Sequence, residues 1–249
     1  MKRHAVIVSL VLLAGCATQA PYQHPFPSTT PSSFAPPAPF DVPRTISHEV
    51  GPGETLWRIS KTYGVSIEAL MRANNISNAS QINNGQTVIV PDTRGPRATV
   101  PLFPSLRWTH IVIHHTATEA GNARSIDQLH HKRGWEGGLG YHFLVDNGTN
   151  GKMDGQIEVG PRWVKQKHGA HANANGMNDH GIGISLVGNY SESRVSQRQL
   201  SNLVYLVKTL QSYYNISTDR VIRHGDVPGK NTECPGLNFP WPEFKSRLA

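Results

Sequence analysis

Two stretches of this 249-residue chain carry side chains able to do chemistry: His114 and His115 in HIVIHHTAT, and His224 with Cys234 in RHGDVPGKNTECPG. The chain holds only two cysteines, Cys16 and Cys234, at opposite ends of the sequence. A lone thiol calls for a chemical use or for burial, because an exposed one is oxidised. Two uses fit its neighbours. Imidazole and thiolate are donors that borderline-soft zinc takes in a tetrahedron, and three of them leave the open position of a catalytic site. The same groups could instead form a nucleophile and its base. Against that, Cys234 is followed by Pro235-Gly236, with no helix N-terminus evident to depress its pKa. Spacing leaves both readings open, since His224 precedes Cys234 by ten residues in a Pro/Gly-rich loop and a histidine at a strand end is more often structural.

The elements that must position these groups follow from pattern. HIVIHH is an apolar, β-branched run whose C-terminal end would open onto a site, and alternation turns His115 to the face opposite His114. RSIDQLHHKRG reads as a helix closed by Gly134, and GLGYHFLVDNGTNGKMDGQIEVG as a hairpin with Asn-Gly and Asp-Gly turns. HGIGISLVGNY is another strand. Ser196 and Gln199 form a capping box ahead of a long helix whose Leu200, Leu203, Val204, Val207, Leu210 and Tyr214 share one face. Strands interleaved with helices over residues 106–249 predict an α/β domain with a mixed central sheet flanked by helices. Asp226 either orients a ligand or caps its loop. His130, His131, His142, His168 and His180 receive no role.

Upstream, residues 47–92 read as a smaller βααβ module. HEV is a strand; Leu56, Ile59 and Tyr63 line a helix stopped by Gly64; Ser66 caps a second with Ile67, Leu70 and Met71 on one face; QTVIVP is a strand ended by Pro91. About 45 residues make a marginal core, so the packing of Trp57 and the leucines must be efficient. Residues 93–105 form a polar linker, and residues 16–46, rich in Pro, Ser and Thr, a semi-extended tether. The basic start MKRH and the apolar run Ala5–Gly15, too short to span a bilayer, read as a signal peptide over residues 1–15. Its removal takes Lys2 and Arg3 from a formal charge of +7. The modest positive remainder suits an anionic polymer such as cell wall. With no helix-turn-helix, finger spacing or aromatic RNA-binding signature, a nucleic-acid partner is not expected.

Three resemblances sharpen these readings. Leu13-Ala14-Gly15-Cys16 resembles a bacterial lipobox, which implies export, a diacylglycerol on Cys16 and a membrane anchor. Cys234 is then left alone in an oxidising compartment. Ala17 in place of Asp implies the outer membrane of a Gram-negative cell, facing the periplasm. HEVGPGETLWRISKTYGVSIEALMRANNIS with INNGQTVIVP resembles the LysM family. That implies binding of N-acetylglucosamine glycans between the loop holding Gly53, Thr55 and Leu56 and the loop at Asn75 and Ile76.

VIHHTAT, RGWEGGLGYHFLV, GAHANANGMND, HGIGISLVGN and RHGDVPGKNTECPG resemble, in order, the type 2 N-acetylmuramoyl-L-alanine amidases and peptidoglycan recognition proteins. The resemblance implies Zn2+ held by His114, His224 and Cys234, and Tyr141 beside the attacking water. It places His171 and Asn173 in the substrate groove, and implies a peptidoglycan partner for a monomeric hydrolase. The branch specific for anhydro-muropeptides carries Asp and Glu where this chain has Cys234 and Ser185, which places it in the tyrosine branch. Phage enzymes carry a lysine where Thr232 stands; threonine can donate a hydrogen bond but brings no charge. The rival readings are a non-catalytic peptidoglycan-binding lipoprotein and a Cys-His wall peptidase.

Overall fold

The computed structural model describes residues 39–249. The expected signal peptide, Cys16 and the tether as far as residue 38 lie outside the described residues. The first unit is an antiparallel ribbon of β1 (Arg44–Glu49) and β2 (Thr87–Thr93) enclosing α1 (Leu56–Tyr63) and α2 (Ile67–Ala73). Local chemistry sets the helix ends. Thr55 accepts from the Arg58 amide, Gly64 takes the left-handed stop at φ 66°, and Ser66 accepts from the Ala69 amide. Val50, Leu56, Ile59, Tyr63, Leu70, Val88 and Val90 form the core.

Three expectations need correction in this module. Trp57 is only half-buried, with the Lys61 ammonium 5.6 Å over its ring, and stands outside that core. β1 begins at Arg44, inside the stretch read as tether. β2 passes through Pro91 to Thr93, because the register slips between Arg44 and Ile46 and Asp92 bulges at φ 47°, so no ladder bond is asked of the proline.

The second unit is built on a five-stranded mixed sheet in the order β5-β4-β6-β3-β7. Its strands are β3 (His110–His115), β4 (Phe143–Asn147), β5 (Asp154–Val159), β6 (Gly181–Leu186) and β7 (Val221–Arg223). β3 pairs in parallel with β6 and β7, β4 pairs in parallel with β6, and β4 and β5 form the antiparallel hairpin. Alternation sorts the side chains. Ile111, Ile113, Phe143, Val145, Ile182, Ile184 and Leu186 enter one core with Leu200, Leu203, Leu206, Val207 and Leu210 of α4 (Gln197–Tyr214) and Phe244 of α5 (Trp241–Leu248). Intervening residues Val112 and Leu144 enter separate clusters with α3 (Ala123–Lys132), Ala172 and Met177. The Ser196/Gln199 capping box of α4 is present. The span read as a linker contributes to the core: Val100 and Leu102 are buried, and the Pro101 carbonyl accepts from Trp163 Nε1 at 2.7 Å.

The two units are docked. Glu49 of β1 pairs with Arg124 at 2.9 Å and accepts from Asn122 at 3.0 Å; Arg58 donates to the Val159 carbonyl at 3.4 Å. Lys152, in the β4–β5 hairpin loop, donates to the Glu49 carbonyl at 2.8 Å and pairs with Glu158 at 3.0 Å, with both side chains almost wholly buried. Burial alone would lower the Lys152 pKa; the carboxylates of Glu158, Glu54 and Asp146 turn the shift upward and hold the ammonium charged.

Candidate active site

The parallel pairing of β3 with β7 sets up the centre. Ile113 lies opposite Arg223, so the next residue of each strand, His114 and His224, emerges at the C-terminal end of the sheet with ring centroids 4.5 Å apart. β7 stops there because His224–Asp226 turns as a 3₁₀ helix, closed by Asp226, which accepts from the Arg223 amide and pairs with its guanidinium at 2.8 Å. Asp226 is therefore a loop cap. The loop returns Cys234 to the same point: the Gly225 amide donates to the Cys234 carbonyl at 3.0 Å, and a Cβ on Gly225 would stand 2.4 Å from the Thr232 carbonyl oxygen, which only glycine avoids.

His114, His224 and Cys234 each offer one donor atom, all within 4.8 Å of one another, and Cys234 Sγ is 3.8 Å from His114 Nδ1. Bonds of about 2.0–2.3 Å in a tetrahedron put donors about 3.3–3.6 Å apart, so this set needs only a small contraction to hold zinc. The remaining chemistry agrees. His224 Nε2 is buried and has no hydrogen-bond partner among the described residues, which leaves it available to a metal. Burial, then the neighbouring His171 and His224, push His114 well below the usual imidazole range; burial, then Lys230, bring His224 to about 4. Both rings stay neutral and able to ligate. Burial raises the Cys234 thiol to about 11, so without a metal it is no thiolate nucleophile.

Tyr141 stands beside this triad, two residues ahead of β4, with its ring 5.3 Å from His114. Burial, then Cys234, push its phenol up to about 12, so it keeps its proton as a hydrogen-bond donor. Its approach is fixed by His130, which accepts from the Gly140 amide at 3.1 Å and stacks on Trp135 at 4.1 Å. Ser185, paired in register with His114, is buried, and its hydroxyl is hydrogen-bonded to the Tyr141 phenol, which offsets part of the rise in the phenol pKa. His115 accepts from the Tyr190 amide at 3.1 Å.

The N-acetylmuramoyl-L-alanine amidase model (Amidase_2) matches residues 104–237. The chain belongs to the N-acetylmuramoyl-L-alanine amidase family. A LysM domain model matches residues 48–91. Peptidoglycan-recognition protein SC2 of Drosophila melanogaster is 31% identical over 172 residues, covering 65% of this chain and 86% of that protein. A human N-acetylmuramoyl-L-alanine amidase is 26% identical over 164 residues, 59% of this chain and 27% of that protein. Among solved structures, the amidase LysC from Clostridium intestinale URNW is 37% identical with a TM-score of 0.48, covering 59% of this chain and 90% of that one.

Other residues singled out in this amidase chain fall in different places. Thr232 is exposed; its hydroxyl accepts from the Cys234 amide at 3.2 Å. His171 is not a groove residue: it is 6% exposed and lies behind His114, 3.0 Å from its Nε2. Asn173 is exposed at φ 46° in the following loop. In the LysM module Gly53, Thr55 and Asn75 are exposed, Leu56 is core, and Ile76 packs against that core. Gly53 borders the amidase unit, where an added Cβ would stand 3.3 Å from Pro161. Sequence reasoning passed over His130 and His142. The latter is wholly buried, accepting from the Gly183 amide at 2.9 Å and donating to the Lys167 carbonyl at 3.1 Å.

Proposed function

We propose that this protein is a zinc-dependent N-acetylmuramoyl-L-alanine amidase that cleaves the amide between the lactyl group of N-acetylmuramic acid and L-alanine of the stem peptide in peptidoglycan. The observation that carries the reading is the convergence of two neutral imidazoles and one thiol, with a protonated tyrosine beside them. Zinc bound there would supply a Lewis acid and a water whose pKa falls to about 7. The chain's own part is to aim and to stabilise. Tyr141 donates its phenolic hydrogen toward the oxygen that gains charge as water adds to the lactyl carbonyl carbon. Thr232, anchored by the Cys234 amide, has its own O–H to share with that oxygen or the departing amine. When the C–N bond breaks, the L-alanine amino group leaves protonated, and the lactyl carboxylate remains on the glycan.

The LysM module would hold a glycan strand near this centre and raise the effective concentration of the scissile bond, a benefit that docking through Glu49 and Lys152 makes constant. We place the protein in the envelope of a Gram-negative cell as a monomer, exported and held to the outer membrane by a lipid on Cys16, where it serves wall turnover. Purified protein given peptidoglycan sacculi should release free stem peptides by mass spectrometry. The activity should be lost to a chelator and restored by zinc. Zinc-loaded protein that binds sacculi and releases nothing would mark it as a recognition protein instead.

A further inference from the structure

We propose that His171 is a positioning residue that fixes the tautomer of His114, turning its Nδ1 lone pair toward the metal, and that the segment 169–172 sets both imidazole ligands at once. The inference rests on the zinc reading above and deepens it.

The hydrogen bonds run in one direction. His171 Nε2 lies 3.1 Å from the Gly181 carbonyl, and a carbonyl only accepts, so Nε2 carries the proton. In the neutral ring Nδ1 is then an acceptor, and it lies 3.0 Å from His114 Nε2. His114 must donate from Nε2, which leaves its Nδ1 unprotonated on the side facing Cys234 Sγ, 3.8 Å away. Without an acceptor behind it, His114 is free to carry its proton on Nδ1, a tautomer that cannot bind the ion through that atom. The second ligand is set by the next residue. The His224 ring is hydrogen-bonded to the Ala172 backbone, while its Nε2 has no partner among the described residues.

The segment is itself held. Asn178 Oδ1 accepts from the His171 and Ala172 amides, each at 2.9 Å, and the Asn178 carbonyl accepts from Gly169 at 2.7 Å. Space for the ring comes from β6: a Cβ on Gly183 would stand 2.4 Å from His171 Cδ2. The second glycine of GIGIS is thus required by the ring lying across it.

The test is zinc affinity, by chelator competition on the full chain, with the absorption spectrum of the cobalt-loaded protein as second readout. His171→Leu removes the acceptor and should weaken zinc by about 10–100-fold; His171→Asn, whose Oδ1 stands where ring Nδ1 stood, should stay within about threefold of wild type. Cobalt bands should follow the same split, since a change of ligating nitrogen alters the metal's field. Should His171→Leu not fold, Gly183→Ala displaces the ring while keeping it, and the same direction of loss is expected. Wild-type affinity in the Leu or Ala variant, or equal losses in Leu and Asn, would overturn the role. A wild-type protein that takes up no zinc would remove the underlying metal assignment instead.

Discussion

Replacing Lys152 with methionine tests how the two units are joined. Its side chain is 2% exposed, with the ammonium 3.0 Å from Glu158 and 2.8 Å from the Glu49 carbonyl of the LysM module. Methionine keeps the apolar stem but supplies neither charge nor donor. The lost bond to the Glu49 carbonyl is worth about 1.5–3 kcal/mol, since its donor is charged. With Glu158 left buried without its countercharge, the total should reach about 3–5 kcal/mol, a large part of the about 5–15 kcal/mol that holds a domain folded. Urea unfolding followed by tryptophan fluorescence reads this as a lower midpoint at unchanged slope. Adding Glu158→Gln should recover about half of the loss, because the amide still accepts from Ala123 N and needs no cation. A single variant within about 0.5 kcal/mol of wild type, or a double variant no better than the single, would refute the claim that Lys152 ties the module down.

Tyr141→Phe keeps the ring against His114 and removes the donor, so kcat should fall about 10²–10³-fold with zinc content unchanged; undiminished turnover would remove the hydroxyl from the chemistry. Thr232→Val should lower stability by about 1 kcal/mol through the lost bond to the Cys234 amide, with a smaller fall in kcat than Tyr141→Phe. Asp146 is buried against the Glu158 carboxylate, and burial, then Glu158, hold its carboxyl well above its ordinary value of 3.8. The native state therefore binds its proton more tightly than the unfolded chain, and wild-type stability falls as pH rises above that ordinary value, levelling off above the folded one. Asp146→Asn should match wild type near pH 3 and exceed it at neutral pH in urea midpoints; the opposite slope would show that the carboxylate is stabilised where it lies.

What could be read from the sequence was local. The capping box at Ser196, the left-handed stop at Gly64 and the cap at Ser66 act over a few residues and appear where pattern put them. Contacts made in three dimensions were not readable. Val100 and Leu102 sit in a stretch with connector composition and are buried because Trp163 reaches the carbonyl between them. Lys152 stands in a hairpin loop, where pattern expects solvent, and is buried by a module a hundred residues away. At the site, two of the three donors stand at the C-terminal ends of adjacent strands, and the motifs named all three. The layer behind them was not read: the resemblance put His171 in the substrate groove, and it lies buried against His114. Gly183 was the available signal, since a glycine inside a fully buried strand asks what lies across it.

The central claim, that one sulfur and two imidazole nitrogens of this chain hold a metal with a position left open, is tested most directly by zinc-edge X-ray absorption on the loaded protein. One sulfur at about 2.3 Å, two imidazole nitrogens and one further light atom, each at about 2.0–2.1 Å, is the expected shell. In Cys234→Ser the sulfur should vanish. A shell without sulfur in the wild type, or one that keeps its sulfur when Cys234 is gone, would contradict the account.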